Sequence, residues 1–252
     1  MNGFGPVVDG FDQVAFGNLN EMRAAIMPET AAIMFEPVQG EGGIRVMDEN
    51  YVRALRALAD EFGLLLMVDE VQTGIGRTGK LFAHQWLGIK PDVMALAKGL
   101  GGGFPVGATL ATEKVASVMT PGTHGSTFGG NPLAMAVANA VLDVVLADGF
   151  MENVMTTGKS LHEAMSVLTV KYPNLFIEAR GVGMHLGLRC NDNVVNNDVV
   201  IKALENGLLV VPAGDNVVRM IPPMTITEEH VNEAISVMET TCVQMIKEGV
   251  GE

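Results

Sequence analysis

The sequence has few cysteines and few basic residues. Two of its 252 residues are cysteine, Cys190 and Cys242, which is too few for a disulfide scaffold and not spaced as metal ligands are. A reducing, cytoplasmic location is therefore expected. Lysine and arginine number 16 against 29 aspartates and glutamates, so the formal net charge is −13. Neither nucleic acid nor an anionic membrane is an expected partner, because both need a basic surface.

Other common signals are also missing. No apolar run reaches the roughly 18 residues of a membrane-spanning helix, and the first residues lack the basic segment and apolar core of a signal peptide. The histidines show no metal-ligand spacing, so we interpret them as structural or surface residues and expect no metal. They are His84, His124, His162, His185 and His230.

Strand and helix patterns alternate along the first part of the chain. Short apolar runs predict strands over 30–35, 64–68, 93–97 and 106–111. Asp48 is the predicted cap of a helix that stops at Gly63, and Asn20 and Asn131 are the predicted caps of two others. Such alternation predicts an α/β fold with a mostly parallel sheet.

The pattern changes after Gly149. A helix with an apolar stripe is followed by predicted strands over 176–180 and 184–189, a helix over 195–206, strands near Leu208 and over 217–221, and a last helix from Thr227. This mixture is typical of a smaller α+β domain. We therefore predict two domains, residues 1–148 and residues 149–252.

The clearest chemical pattern lies at the ends of two predicted strands. The run 64–68 ends in Asp69, and the run 93–97 ends in Lys98 before several glycines. The carboxyl ends of parallel strands form the edge where α/β proteins bind ligands, and an amine and a carboxylate there are costly unless they are used or paired. Pyridoxal phosphate needs both, a lysine for a Schiff base and an aspartate facing its pyridine nitrogen. We predict a site for this cofactor, with the Lys98 amine partly desolvated and so nucleophilic.

A competing interpretation comes from the run Gly74-Ile75-Gly76-Arg77-Thr78-Gly79. It matches the G-x-G-x-x-G pattern of dinucleotide-binding proteins. In those proteins the pattern opens a long helix, whereas Trp86 and Pro91 follow closely here and would interrupt one. A loop is therefore favoured over a dinucleotide site.

A second glycine-rich run, 125–130, precedes the predicted helix cap at Asn131. It contains Ser126 and Thr127, and hydroxyls and free amides near a helix start can bind an anion. An ordinary glycine-rich cap explains the same residues equally well.

Charged residues around a tight turn form the last candidate group. Glu36 and Glu41 flank the turn, and Arg219 lies in an otherwise apolar strand. The two carboxylates are either solvated loop charges or partners of this arginine.

Several ordered motifs resemble those of class-III, or ω-type, aminotransferases, which use pyridoxal phosphate. They are Glu36-Pro37-Val38-Gln39-Gly40-Glu41-Gly42-Gly43, Asp69-Glu70-Val71-Gln72-Thr73-Gly74, Gly76-Arg77-Thr78-Gly79, Lys98-Gly99 and Gly125-Ser126-Thr127-Phe128-Gly129-Gly130-Asn131-Pro132-Leu133-Ala134. Within the family, residues 75–83 and 216–219 resemble the acetylornithine-type enzymes most. The resemblance implies the type I fold of pyridoxal-phosphate-dependent transferases, with an incomplete, mostly parallel large-domain sheet and a smaller C-terminal domain.

The resemblance also implies roles on the cofactor side of the site. Lys98 forms the Schiff base and later moves a proton, and Asp69 keeps the pyridine nitrogen protonated. Val71 packs against one face of the ring, and Gln72 approaches the phenolic oxygen.

Two further sets of roles follow from the same resemblance. Ser126 and Thr127 reach the phosphate in a neighbouring subunit, which implies a homodimer. Glu36, Glu41 and Arg219 bind substrate, with Glu41 as a switch that pairs with Arg219 when the amino donor is bound. The switch moves aside when a dicarboxylate needs the arginine.

The implied reaction transfers an amino group from N-acetylornithine to 2-oxoglutarate, a step of arginine biosynthesis. Ornithine, succinylornithine and 4-aminobutyrate are alternative donors. The phosphate-cup segment of the family and its aromatic-His-Gly-Arg segment have no counterpart in the sequence, so we expect an N-terminally truncated chain. The alternative of another class is an inactive, truncated remnant.

Overall fold

Two β-sheets, each with its own hydrophobic core, organise residues 5–251, the part of the chain that the computed structural model describes. The helices are α1 (Leu19–Ala24), α2 (Glu49–Phe62), α3 (Glu113–Ala116), α4 (Pro132–Val145), α5 (Phe150–Lys171), α6 (Asn196–Glu205) and α7 (Glu228–Lys247). The strands are β1 (Ala32–Phe35), β2 (Val38–Gln39), β3 (Arg45–Val46), β4 (Leu65–Asp69), β5 (Val93–Leu96), β6 (Ala108–Ala111), β7 (Phe176–Val182), β8 (His185–Cys190), β9 (Val211–Ala213) and β10 (Val217–Met220).

The first sheet has the order β1-β4-β5-β6. Strands β1, β4 and β5 are parallel, and β6 runs antiparallel at the edge. Helix α2 packs its buried residues against β1 and β4. This arrangement confirms the predicted α/β class and its mostly parallel sheet.

Helix α2 shows how local signals set the bounds of an element. Asp48 accepts a hydrogen bond from the backbone N–H of Tyr51 at 3.0 Å, and Gly63 ends the helix with a left-handed φ of 70°. Asn131 caps α4 in the same way through the N–H of Ala134. These three end signals are confirmed, because each acts within one turn of the chain.

Two predictions about the elements need correction, and one hairpin was not predicted. The cap of α1 is Asn18 rather than Asn20, because its side chain accepts the N–H of Glu21. No strand forms near Leu208; β9 begins at Val211, where it pairs with β10. The hairpin of β2 and β3 was not predicted, since two-residue strands carry no periodic pattern.

The second sheet is antiparallel throughout, with the order β7-β8-β10-β9. Helices α5, α6 and α7 contribute the other buried residues of its core. Helix α4 packs on the first sheet's core instead. The predicted domain boundary between residues 148 and 149 falls between α4 and α5 and stays a prediction.

Among the described residues, no single helix is long and apolar enough to cross a membrane. Helices α4 and α5 reach that length and composition only as a pair, and the pair is bent by 71°.

The two sheets meet at Gly183, in the turn between β7 and β8. Its φ is +58°, and a Cβ placed there would lie 2.6 Å from the carbonyl carbon of Thr78. The loop after β4 therefore touches the second sheet backbone to backbone, a distance that only glycine permits.

Replacing Gly183 by alanine tests this contact. We expect Gly183→Ala to lower the free energy of unfolding by about 2 kcal/mol more than Gly63→Ala, because its methyl group has no space. Gly63 is the matched control, since its φ is +70° and nothing lies within 4 Å of an added Cβ. Urea unfolding followed by circular dichroism measures both changes. Equal losses would show that backbone conformation alone, and not the close contact, accounts for the effect.

Candidate active site

The ends of β4 and β5 bring the predicted aspartate and lysine to one edge of the first sheet. Asp69 pairs in register with Ala95, and Lys98 follows the end of β5 by two residues. Asp69 is half-buried. Its Oδ1 accepts the backbone N–H of Val71 at 2.9 Å. No described residue donates a hydrogen bond to its other oxygen, so that oxygen is available to a ligand.

Lys98 has an unusual backbone and an exposed side chain. It begins a 3₁₀ turn, Lys98–Gly101, with a φ of +41°, a region that residues other than glycine seldom adopt. Ile75 has a φ of +56° and approaches Gly99. The prediction of a partly desolvated amine is wrong for this structure, since Lys98 is exposed. The residues that follow β5 turn away in a tight helix and do not cover it.

A buried carboxylate organises the loop after β4. Glu70 is 1% exposed. Its Oε2 accepts the hydroxyl of Thr73 and the N–H of Ala83, and its Oε1 accepts the N–H of His84 at 2.8 Å. Because charged hydrogen bonds to backbone N–H groups are strong, Glu70 closes residues 70–84 into one ordered loop.

The same loop excludes the dinucleotide alternative. The residues after Gly79 form turns and a short 3₁₀ segment, Ala83–Gln85, rather than a long helix. Trp86 donates its indole N–H to the carbonyl of Thr78 at 3.0 Å. Because the indole ring of Trp86 packs back on this loop, no long helix begins here, and a pyrophosphate would have no helix N-terminus to bind.

Arg77 joins this loop to the second sheet. Its Nη1 donates to the carbonyls of Met184, at 3.2 Å, and Pro222, at 2.5 Å, and its own carbonyl accepts the N–H of Met184. Burial lowers the pKa of Arg77 to about 10, so the guanidinium remains charged at neutral pH. The motif GRTG therefore supplies a connection between the sheets.

Arg219 and Glu41 form a bidentate ion pair. The Nη1–Oε1 distance is 2.6 Å and the Nη2–Oε2 distance is 3.1 Å. The arginine side chain is 6% exposed and the glutamate side chain 74%. Hydrogen bonding from Arg219 lowers the pKa of Glu41, so the pair persists to more acidic pH than it would with an ordinary glutamate. Of the two predicted partners of the arginine, the structure selects Glu41.

Glu36 lies nearby without reaching Arg219 in any described contact. It is half-buried and accepts the N–H of Gly40 at 3.3 Å. Burial raises its pKa, while the nearby charges of Asp69 and Lys98 act in opposite directions. The strand-end residues and the turn 36–43 therefore share one site.

Gln72 connects the ion pair to the second sheet. Its Nε2 donates to Glu41 Oε1 at 3.3 Å, and its Oε1 lies 3.0 Å from Nε2 of His185. His185 is fully buried in β8. The amide of Gln72 is thus already engaged, and its approach to a cofactor's phenolic oxygen stays a prediction, as does the packing of Val71 on a ring face.

Ser126 and Thr127 lie on an exposed loop that precedes α4. The Ser126 hydroxyl accepts the N–H of Gly129 at 2.9 Å, which is a local turn contact. The predicted phosphate role of both hydroxyls stays a prediction.

The residues at the sheet edge fit pyridoxal phosphate on two counts. Lys98 offers an exposed amine, and Asp69 offers a free carboxylate oxygen from the neighbouring parallel strand. No group of three or more histidine, cysteine, aspartate or glutamate side chains in residues 5–251 could hold a metal ion. The edge is built for an organic cofactor with an aldehyde and a basic ring nitrogen.

Sequence reasoning missed three residues of this site. Glu70 and Arg77 stood inside recognised motifs, but their partners lie elsewhere in the chain. His185 stands alone in an apolar strand. A buried polar residue needs a partner, and that rule is the one signal that marks His185.

An α/β fold with a lysine and an aspartate near the ends of adjacent strands fits a pyridoxal-phosphate-dependent transferase of type I. Comparison with known proteins agrees with this class and refines it. The family described as aminotransferase class-III matches residues 5–242. The chain belongs to the class-III aminotransferase family.

The similar proteins include acetylornithine aminotransferases. That of Brucella melitensis is 58% identical over 241 residues, which cover 95% of this chain and 59% of the relative. A solved N-acetylornithine aminotransferase from Stenotrophomonas maltophilia is 35% identical with a TM-score of 0.85, covering 93% of this chain and 62% of that one. The solved ornithine aminotransferase of Toxoplasma gondii is 35% identical with a TM-score of 0.91, covering 98% and 59%. The chain thus spans about three fifths of the length of these relatives.

Replacing Glu70 by glutamine tests the role of the buried carboxylate. An amide keeps the size of the side chain but turns an NH₂ group toward backbone N–H groups that need an acceptor. We expect Glu70→Gln to lower the free energy of unfolding by about 3 kcal/mol. Glu61→Gln, which breaks an exposed pair with Arg23, is the control and should cost much less, because exposed ion pairs contribute little to stability. If urea unfolding shows similar losses of free energy of unfolding for Glu70→Gln and Glu61→Gln, Glu70 does not stabilise the closed loop.

Proposed function

We propose that this chain carries the catalytic and substrate-selecting residues of an aminotransferase that takes the amino group of N-acetylornithine and passes it to 2-oxoglutarate. The observation that carries the proposal is the Glu41–Arg219 pair beside the strand-end lysine and aspartate. Bound pyridoxal phosphate supplies an electron sink for the carbanion formed at the substrate carbon. The residues of this chain bind and orient the reactants and move the proton.

Lys98 is the proposed covalent anchor and proton carrier. Its exposed amine would hold the cofactor through the cofactor's aldehyde group. Once free of the cofactor, the same amine would hold the proton that leaves the substrate carbon. The left-handed backbone conformation at Lys98 fixes the direction in which the side chain that carries this amine leaves the main chain.

Asp69 is the proposed partner of the pyridine nitrogen. Its backbone contact with Val71 holds one oxygen and leaves the other to accept the ring N–H. A fixed negative charge there keeps the nitrogen protonated more firmly than a neutral amide would. Glu36 lies close enough to influence the same charges, and we propose that it borders the substrate.

Arg219 and Glu41 are the proposed selector between the two substrates. N-acetylornithine carries one carboxylate and has none to pair with Arg219. The protein must therefore neutralise Arg219 itself while the donor is bound. 2-Oxoglutarate brings a second carboxylate that can take the place of Glu41. Because Arg219 is buried and Glu41 exposed, the glutamate is the member that moves.

Ornithine is an alternative donor that one comparison favours, because the solved Toxoplasma gondii relative is an ornithine aminotransferase. N-Acetylornithine is preferred, since a curated acetylornithine aminotransferase reaches 58% identity. With that donor the reaction is a step of arginine biosynthesis, in the cytoplasm, where the two buried cysteines remain free thiols.

A homodimer is the proposed assembly. Ser126 and Thr127 are exposed, and Phe128 beside them is 81% exposed. Exposed apolar side chains continue along the segment, including Val118 at 71% and Leu133 at 61%. A second copy on this surface would bury them and bring the two hydroxyls to the cofactor phosphate of the neighbouring subunit.

Reductive labelling tests the anchor. Protein mixed with pyridoxal phosphate should absorb visible light, and borohydride should then fix the cofactor to the peptide that contains Lys98. The Lys98→Met variant should lose both signals. Mass spectrometry of the digested protein locates the label. Labelling of Lys80 or Lys90 in place of Lys98 would sink the assignment.

The selector role of Glu41 is tested by measuring each half-reaction separately, in protein loaded with pyridoxal phosphate for N-acetylornithine and with pyridoxamine phosphate for 2-oxoglutarate. Glu41→Gln removes the charge that neutralises Arg219, so the half-reaction with N-acetylornithine should slow about 10-fold more than the half-reaction with 2-oxoglutarate. Stopped-flow absorbance gives both rates. Glu113→Gln is the control, because Glu113 is an exposed glutamate outside the candidate site and its replacement should leave the ratio of the rates unchanged. Equal slowing of both halves by Glu41→Gln would count against the switch.

A further inference from the structure

His185 is a fully buried histidine with one used and one unused nitrogen. Its Nε2 lies 3.0 Å from Oε1 of Gln72. Its Nδ1 is buried without a hydrogen-bond partner among residues 5–251. A leucine would fill this position in β8 without leaving a polar atom unpaired. Among residues 5–251, the contact with Gln72 is the side-chain hydrogen bond of His185 that a leucine could not make.

The charge of Glu41 fixes the direction of that contact. Glu41 Oε1 can only accept, so the amide nitrogen of Gln72 must face it, at 3.3 Å. The amide oxygen then faces His185, and Arg219 Nη1 lies 3.5 Å from the same oxygen. Reversing the amide would place its oxygen against the carboxylate. His185 must consequently carry its proton on Nε2 and donate it to Gln72.

Close packing holds the amide in this place. A Cβ on Gly40 would lie 2.0 Å from the Oε1 of Gln72, so the amide sits directly on the backbone of the turn that carries Glu41. Gln72 is held between that turn and β8: the charge of Glu41 sets which way its amide faces, and the donor on β8 holds it in that orientation.

The imidazole is neutral at physiological pH. Burial, with smaller contributions from the charges of Arg77, Arg219 and Lys98 and against an opposing effect of Glu41, lowers the pKa of His185 to about 3. A neutral ring donates one proton only. The contact with Gln72 therefore does not switch with pH above about 5.

We propose that His185 is a positioning residue that locks the Gln72 amide and thereby favours the closed Glu41–Arg219 pair over the open arrangement. The lock acts on the switch of the proposed function, but the contact itself is a property of the protein without substrate or cofactor. Without His185 the amide loses the donor that holds it on the β8 side, so its hydrogen bond to Glu41 weakens and the Glu41–Arg219 pair opens more readily.

Three substitutions separate the donor from the bulk of the side chain. His185→Leu removes the donor. In His185→Gln the amide nitrogen lies near the position of Nε2, whereas in His185→Asn it lies near that of Nδ1. The glutamine and asparagine variants both bury an amide, so they form a matched pair even if His185→Leu does not fold. Circular dichroism establishes that the variants compared are folded.

The first measurement is the pKa of the Glu41 carboxyl, followed by carbon NMR in the full chain without cofactor. Loosening the pair should raise this pKa by about 0.5 in His185→Leu and His185→Asn. His185→Gln should keep the value of the unmodified protein. An unchanged pKa in His185→Asn, or equal rises in the Asn and Gln variants, would overturn the proposal.

The second measurement is the affinity for glutarate, a dicarboxylate that lacks a reactive keto group. It should bind about 3-fold tighter to His185→Asn than to His185→Gln, while pentanoate, with one carboxylate, should not distinguish them. Arg219→Met shows whether glutarate binds at Arg219. If that variant abolishes glutarate binding, equal glutarate affinity in His185→Asn and His185→Gln would overturn the proposal. If Arg219→Met leaves glutarate binding intact, the proposed substrate role of Arg219 fails, and the pKa of Glu41 alone decides the role of His185.

Discussion

The contact on which the rest of this structure depends is that of the Arg77 guanidinium with the backbone of the second sheet. The arginine is half-buried, and the contacts described for it run to two carbonyl oxygens, of Met184 and Pro222. Because a desolvated charge is costly without such acceptors, the cost ties the loop after β4 to the turn before β8 and to the segment after β10. The candidate site is assembled across this joint, with Asp69 and Lys98 from the first sheet and Arg219 from the second.

Differences in exposure explain how fixed charges and a movable one coexist in the site. Arg219 is 6% exposed and packed in β10, whereas Glu41 is 74% exposed on a glycine-rich turn. A buried arginine cannot leave without a large loss of packing. An exposed glutamate gives up its pair and regains water at little cost. The proposed switch role of Glu41 therefore rests on the asymmetry of burial rather than on the strength of the pair.

The sequence predicts best what is decided within a few residues. The caps at Asp48 and Asn131, the strand ends at Asp69 and Lys98, and the α/β class are all confirmed because each depends on local pattern.

The contacts of Arg77 and His185 depend on partners more than a hundred positions away, and no periodicity reveals such a partner. The prediction that the Lys98 amine is partly desolvated failed for a similar reason. The position of a residue at a strand end does not show whether a distant segment covers it. The selection of Glu41 over Glu36 likewise needed the geometry of the turn.

The backbone at Lys98 carries a last physical constraint. A φ of +41° is costly for any residue with a Cβ, and Ile75, with a φ of +56°, is β-branched as well. Glycine would satisfy both positions without strain, and the surrounding sequence is rich in it. At Lys98 glycine would remove the amine. At Ile75 it would remove a side chain that is 2% exposed in the core beneath the lysine turn and that approaches Gly99. Strain of this kind persists only where the neighbouring structure fixes it. The closed loop of Glu70 and the joint of Arg77 hold Ile75 in place, and Ile75 in turn supports the turn from which the Lys98 amine reaches the sheet edge.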